Sequence, residues 1–175
     1  MNSQSKKIAL FGTSADPPTY GHQALLEGLS NLFPKVATWA SDIPMKSHGL
    51  PLFQRHKLLS ELVKAINNPN LSIVQELSSP WTINTLKVAS KKWPNEELVF
   101  VIGSDLIAEV GNWMDSEKIL QEARIAIVPR IGWPIKEKEL TILKSLQGKI
   151  EFLPLSIPKS SSTHIRSNLN IYDIP

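Results

Sequence analysis

Residues 8–22 read Ile8-Ala9-Leu10-Phe11-Gly12-Thr13-Ser14-Ala15-Asp16-Pro17-Pro18-Thr19-Tyr20-Gly21-His22. An apolar run enters a stretch of glycine, proline and hydroxyl side chains, and beyond it Leu25, Leu29, Leu32 and Phe33 are spaced along one helical face. The order is strand, loop, helix. Backbone N–H groups and the positive end of the helix dipole then converge on one point, where a polyphosphate could sit. The Asp16-Pro17-Pro18 run stiffens the loop, because proline fixes its own φ and restricts the residue before it. Gly21 permits close backbone approach, and Thr19 and His22 can both donate hydrogen bonds toward the same spot. A plain turn followed by a helix cap would draw on many of the same residue types.

Outward from this loop the pattern alternates. Apolar, partly β-branched runs at 7–12, 35–41, 71–76, 97–103, 124–129 and 150–155 predict strands. Helical stretches are expected at 21–33, 52–67, 82–93, 104–122 (broken around Trp113) and 136–147, with a last helix beginning near Ser162. Turn chemistry marks the breaks at Asn67-Asn68-Pro69-Asn70, Trp93-Pro94-Asn95 and Gly132-Trp133-Pro134. Strands alternating with helices predict an α/β fold, a doubly wound, Rossmann-like parallel sheet of five or six strands with helices on both faces. Ligands of such sheets bind at the carboxyl ends of the strands, where strand order reverses. With no repeat and no low-complexity linker, residues 1–175 are expected to form one domain, residues 1–6 being a leader.

Composition narrows the class. The 175 residues are 42% hydrophobic and 20% charged, the balance of a globular protein rather than a disordered one. There is no cysteine, which removes disulfides and thiolate metal sites and fits a cytoplasmic location. The net charge of +3 is mild and its lysines are scattered, so no nucleic-acid-binding stripe stands out. No segment approaches the roughly 18 apolar residues of a membrane span. Anionic small molecules are the expected partners. Composition leaves homo-oligomerisation open.

A second signal lies at the far end, Ser160-Ser161-Ser162-Thr163-His164-Ile165-Arg166. It is a hydroxyl-rich helix start with an arginine in the first turn, which an ordinary N-cap and a surface arginine would also explain. Beside a first phosphate loop it gains a second use. Helix-terminal N–H groups, hydroxyls and a guanidinium fork together can hold β- and γ-phosphates.

The two segments resemble the paired motifs of the nucleotidyltransferases related to class I aminoacyl-tRNA synthetases. The first family motif runs roughly Gly-x-Phe-Asp-Pro-x-(His/Thr)-x-Gly-His, matched by Gly12, Asp16, Pro17, Gly21 and His22. Thr19 takes the place of the first histidine, a variant also used by relatives that make dephospho-coenzyme A, and Ala15 the place of phenylalanine. The second resembles Ser-Ser-Thr-x-Ile-Arg. Three further stretches are similar to bacterial nicotinate-mononucleotide adenylyltransferases: Trp81-Thr82-Ile83-Asn84-Thr85-Leu86, then Leu98-Val99-Phe100-Val101-Ile102-Gly103-Ser104-Asp105 with Trp113 after it, and Val128-Pro129-Arg130-Ile131-Gly132. The likeness covers about residues 7–169, and the chain ends sooner after Arg166 than family members do.

The resemblance implies transfer of AMP from ATP to nicotinate mononucleotide, giving nicotinate adenine dinucleotide and pyrophosphate. It implies His22, Thr19 and Arg166 as the catalytic group. Gly12, Thr13, Ser14, Gly21, Gly103, Asp105, Ser161, Ser162 and Thr163 would bind ATP, with Asp105 near the adenosine ribose. Lys46, Thr82, Thr85, Trp113 and Arg130 would bind the nicotinate nucleotide, Trp113 by stacking and amides near Thr85 and Met114 by receiving the carboxylate. Each has a plainer use: Thr82 and Thr85 suit a helix start, Asp105 a cap, and most of the five tryptophans a core. Arg55 has a family match and a structural use. His48, His56 and His164 are expected to face solvent. No protein metal site is implied, and Mg²⁺ is expected to travel on the ATP phosphates, since it keeps waters readily. Two other readings stay open: the same fold acting on nicotinamide mononucleotide or phosphopantetheine, and a nucleotide-binding protein of weak catalysis, to which Thr19, Ala15 and Asn84 give footing.

Overall fold

A computed structural model of the chain describes residues 6–44 and 46–157. Six strands form one sheet: β1 (Lys7–Thr13), β2 (Val36–Ala40), β3 (Leu71–Ile73), β4 (Glu97–Gly103), β5 (Arg124–Val128) and β6 (Ile150–Phe152). Their spatial order is β3-β2-β1-β4-β5-β6, and every pair is parallel. The helices are α1 (Tyr20–Leu32), α2 (Leu52–Ile66), α3 (Thr82–Lys92), α4 (Ile107–Val110), α5 (Ser116–Glu122) and α6 (Glu137–Ser145). The doubly wound α/β expectation is met. Strand order reverses between β1 and β4, so the loops that leave these neighbours diverge to opposite faces and open a crevice.

Side-chain alternation builds the two apolar layers. On one face Ile8, Leu10, Phe100, Ile102, Ile125 and Ile127 pack with Ile83 and Leu86 of α3, Ile119 and Leu120 of α5, and Leu143 of α6. On the other, Ala9, Val99, Val101, Ala126 and Val128 pack with Leu25, Leu26 and Leu29 of α1 and Leu59 of α2. Both faces are covered, which is why the central strands read as unbroken apolar runs.

Two expected strands are shorter than their apolar runs. The 71–76 run pairs only through Ile73 and then tightens into a 3₁₀ turn, Gln75–Leu77. The Gln75 side chain explains the change: its Nε2 donates to the Ala40 carbonyl at 2.8 Å and its Oε1 accepts the Ala40 N–H at 3.1 Å. The amide thus satisfies the two backbone groups that a longer β3 would have paired. The 150–155 run stops at Phe152, with one further bond from Leu153 N to the Ile127 carbonyl at 2.9 Å before Pro154. The 104–122 stretch breaks where expected, at 111–115, and Asp115 enters the left-handed region at φ 55°. The helix expected near Ser162 lies outside the described residues.

Leu26 on α1 is fully buried, whereas Leu32 on the same helix is 45% exposed. Leu26→Ala is expected to lower unfolding free energy by about 2–5 kcal/mol, and Leu32→Ala by much less. Urea denaturation of both variants checks the packing, and equal losses would contradict it.

Candidate functional site

The loop after β1 enters the crevice. Thr19 is the N-cap of α1, and the first turn of that helix holds no acidic side chain, so the positive end of its dipole is left for an incoming anion. Ala15 is fully buried at φ 46°, a left-handed conformation that costs a non-glycine residue energy. Its small side chain fits the core beneath the loop, so replacement of the family phenylalanine is a matter of packing. Gly12 is required for a different reason. It lies opposite Trp39 in the β1–β2 register, and a Cβ there would come within 2.6 Å of the indole ring.

Two buried charges tie the loop to the segment after β2. The Asp16 carboxylate, 1% exposed, accepts the N–H groups of Gly49 at 2.7 Å and Leu50 at 2.9 Å. Arg55, also 1% exposed, donates to the carbonyls of Leu50 at 3.0 Å, Ser14 at 2.8 Å and Ser41 at 2.8 Å, and to Asp42 Oδ1 at 3.2 Å. The structural use of Arg55 is therefore the realised one. A signal for it exists in the sequence: Arg55 falls four residues before the core residue Leu59, a charge on the apolar stripe of α2. Asp16, read as a loop stiffener, is in addition a fastening point.

His22 sits at the centre of a polar cluster. Its Nδ1 accepts the Thr19 backbone N–H at 3.0 Å while the Thr19 side chain accepts the His22 backbone N–H, the reciprocal exchange of a capping box with histidine in the usual glutamate position, and Nδ1 also lies 2.8 Å from Thr19 Oγ1. Its Nε2 lies 2.9 Å from Thr13 Oγ1. Desolvation of the ring, and secondarily the positive charge of Arg130, lower its pKa to about 4. The imidazole is neutral at physiological pH.

The strand beside β1 completes the crevice. At the end of β4 the chain turns through a 3₁₀ segment, Ser104–Leu106. Ser104 Oγ accepts the Arg130 N–H at 3.0 Å and donates to the Trp133 carbonyl at 2.9 Å, locking the loop after β5 against the loop after β4. Arg130 Nη1 meets Asp105 Oδ2 at 2.8 Å. Asp105 Oδ1 is buried without a hydrogen-bond partner among the described residues. Such an oxygen is costly to leave unpaired, so a donor from a ligand would improve it. A Cβ at Gly103 would come within 2.3 Å of that oxygen and 2.7 Å of Arg130 Cδ, so only glycine lets the pair fold over the strand end.

The structure thus gathers Thr13, Thr19, His22 and, through its charge, Arg130 with Asp105. The remaining candidates have surroundings of their own or lie outside the described residues. Trp113 is half-buried and meets Phe100 edge to face, centroids 6.1 Å apart. Thr82 opens α3, whereas Thr85 is buried and its hydroxyl donates to the Leu77 carbonyl at 2.8 Å. Lys46 is exposed, in the segment that Asp16 and Arg55 fasten, and its N–H closes a turn onto the Ile43 carbonyl at 2.9 Å. Ser161, Ser162, Thr163 and Arg166 lie outside the described residues, as does His164.

Two histidines depart from the solvent-facing expectation. His48 tucks toward Asp16, Nδ1 to Oδ2 being 3.8 Å, and its Nε2 is buried without a partner among the described residues. Desolvation first, and the Arg55 charge second, lower its pKa. His56 is half-buried, its Nδ1 3.0 Å from Gln75 Oε1. The Asp16 carboxylate and the Gln75 amide recruit them, and neither partner adjoins its histidine in the sequence.

Known proteins resemble this chain in sequence and fold. The cytidylyltransferase-like family model matches residues 10–168. A Synechocystis sp. protein named probable nicotinate-nucleotide adenylyltransferase is 34% identical over 84% of this chain and 78% of its own length. A Thermus thermophilus protein of the same name is 28% identical over 93% of this chain and 86% of its own. Among solved structures, the fold is similar to the Plasmodium falciparum nicotinic acid mononucleotide adenylyltransferase complexed with NaAD, with a TM-score of 0.77 and 26% identity over 93% of this chain and 83% of that one. The phosphate loop at the switch point, the Gly103–Asp105 turn beside it and these matches along most of the chain agree: the protein belongs to the cytidylyltransferase-like family, among the nicotinate-nucleotide adenylyltransferases.

Proposed function

We propose that the protein joins ATP and nicotinate mononucleotide, forming nicotinate adenine dinucleotide and pyrophosphate, a step of NAD biosynthesis. The observation that carries this reading is the polar cluster of the Gly12–His22 loop at the switch point of the sheet. Beside it stand the relatives that bear the adenylyltransferase name and the Plasmodium falciparum structures complexed with NaAD and with APC.

The chemistry asks little covalent work of the chain. The nucleophile is the 5′-phosphate of the mononucleotide, whose second pKa of about 6 leaves it largely ionised at neutral pH. A new P–O bond forms at the α-phosphorus of ATP while the bond to the bridging oxygen breaks and pyrophosphate leaves. No general base is needed. What remains is alignment of two anions and stabilisation of charge on the transferring phosphoryl group. The end of α1, the Thr13–His22 cluster and Arg130 supply donors and positive potential there, and Arg166 with Ser161, Ser162 and Thr163 would hold the departing pyrophosphate. Mg²⁺ carried by the ATP phosphates and water is the expected metal, since this ion keeps its waters readily. The ion neutralises phosphate charge when bound.

Purified protein supplied with ATP and, separately, nicotinate mononucleotide, nicotinamide mononucleotide or phosphopantetheine is expected to release pyrophosphate fastest with the first. A preference for either of the others overturns the acceptor assignment, and ATP binding without pyrophosphate release with any of them overturns the enzyme itself. His22→Ala should lower kcat by roughly 10²–10³, the loss of one preorganised donor.

Arg166→Ala is expected to raise the KM for ATP while leaving that for the mononucleotide nearly unchanged. Unaltered ATP kinetics would remove Arg166 from the pyrophosphate site.

The lowered pKa of His22 also sets a pH dependence. The folded chain holds this imidazole neutral down to about pH 4, whereas the unfolded chain protonates it near the ordinary 6.5. Stability contributed by the neutral ring is present above pH 6.5 and is lost as pH falls from 6.5 toward 4. Urea denaturation at pH 7 and pH 5 should show a smaller acid loss in His22→Asn than in the parent chain, and equal losses would contradict the shift.

A further inference from the structure

Glycine is the poorest helix former apart from proline, and Gly28 stands in the interior of α1. No left-handed backbone calls for it there. A neighbour far along the chain does. A Cβ on Gly28 would come within 2.7 Å of Leu155 Cδ2, 3.3 Å of Cδ1 and 3.5 Å of Cγ. The Leu155 side chain lies where a side chain on Gly28 would otherwise stand.

The path to this seat is short and tied. Leu153 N–H donates to the Ile127 carbonyl at 2.9 Å, and the Leu153 side chain is buried in the apolar layer of α1 and α2. Pro154 follows. Leu155 N–H then donates to the Leu153 carbonyl at 2.8 Å, closing a three-residue turn. Leu155 and Ile157 both pack against the layer that holds Leu25, Leu26 and Leu29 of α1. The last described residues of the chain are therefore strapped onto the helix whose first turn carries Thr19 and His22.

The strap leads in sequence to Ser161, Ser162, Thr163 and Arg166, which lie outside the described residues. At about 1.5 Å per residue, the Thr19 cap lies roughly 14 Å from Gly28 along the helix axis. The chain from Leu155 to Ser161 spans at most about 20 Å. That length suffices to bring the second phosphate segment to the start of α1, and its reach is set by where Leu155 is seated.

We infer that Gly28 and Leu155 are positioning residues for ATP: the leucine seated on the glycine fixes the point from which the Ser161–Arg166 segment approaches the triphosphate. This rests on the adenylyl-transfer reading. Neither residue touches substrate. Their part is to join the helix of the first phosphate loop to the chain that carries the second group.

The test exchanges the two sizes. Gly28→Leu fills the seat, Leu155→Ala empties it, and the double variant returns one leucine side chain to the junction from the opposite partner. Each single variant is expected to raise the KM for ATP roughly tenfold, the scale of coupling between packed neighbours, while the KM for the mononucleotide moves less than about twofold. The double variant should recover most of the loss. Gly28→Ala, whose methyl already meets Leu155 Cδ2, takes the place of Gly28→Leu should that chain fail to fold.

Unchanged ATP kinetics in the single variants, equal rises for both substrates, or no recovery in the double variant would each overturn the strap. Should the parent chain form no dinucleotide with any acceptor, the functional reading fails by itself. Calorimetric binding of ATP alone then decides the role of the strap. Weaker binding in the single variants with recovery in the double supports it, and equal affinity throughout, or no binding by the parent, overturns it.

Discussion

A guanidinium group with almost no contact with water holds the loop after β1 to the segment after β2. Arg55 reaches from α2 to the carbonyls of Ser14, Ser41 and Leu50, so the phosphate loop and the segment after β2 share one fastening. Asp16 binds the same two segments from the other side, through the amides of Gly49 and Leu50. Burying a charge costs several kcal/mol before any partner is counted, and the cost is offset only when the donors are satisfied. Here carbonyls of three separate residues and the Asp42 carboxylate do so. The geometry of the loop after β1 depends on this arrangement, because a left-handed Ala15 and a helix cap on Thr19 would not by themselves fix where Ser14 lies.

Once the loop is fixed, its electrostatics follow from what is absent from the first turn of α1 as much as from what is present. With no carboxylate there, the helix dipole is uncompensated, and Arg130 adds a full charge close enough to lower the pKa of His22. Desolvation of the ring first, and that positive charge second, keep the imidazole neutral. The site is therefore electropositive through fixed dipoles and arginine, while the histidine contributes a directed hydrogen bond. A neutral donor needs no proton exchange during phosphoryl transfer, which suits a reaction whose nucleophile is already ionised.

The periodicity of the sequence carried the architecture because both faces of a parallel sheet are covered, and covered strands read as apolar runs. It failed where a single side chain replaced backbone pairing. Gln75 caps the ladder of Ala40 with its amide, so β3 stops three residues early although Val74 and Leu77 continue the apolar pattern. The loop residues Thr13, Thr19 and His22 were legible because they are neighbours in the chain. The burial of His48 was not, since its surroundings include Asp16, far from it in the chain, and the partners of Arg55, the carbonyls of Ser14 and Ser41, likewise come together only in the fold. Asp105 and Arg130 were visible singly, but their ion pair needs the β4–β5 register and the absence of a side chain at Gly103.

The replacement of the first motif histidine by Thr19 looks from the sequence like a weakened site. In the folded chain that threonine is tied to the remaining histidine through its amide, which donates to Nδ1, and through its side chain, which lies 2.8 Å from Nδ1 and accepts the His22 backbone N–H. The amide bond would exist with any residue other than proline at the position, so the orientation of His22 is a property of the helix cap rather than of the side chain. The side chain adds a compact hydroxyl at the start of α1. The substitution is therefore compatible with a working phosphate site, because the determinant of the orientation of His22 is the backbone, and the backbone is held by Asp16 and Arg55.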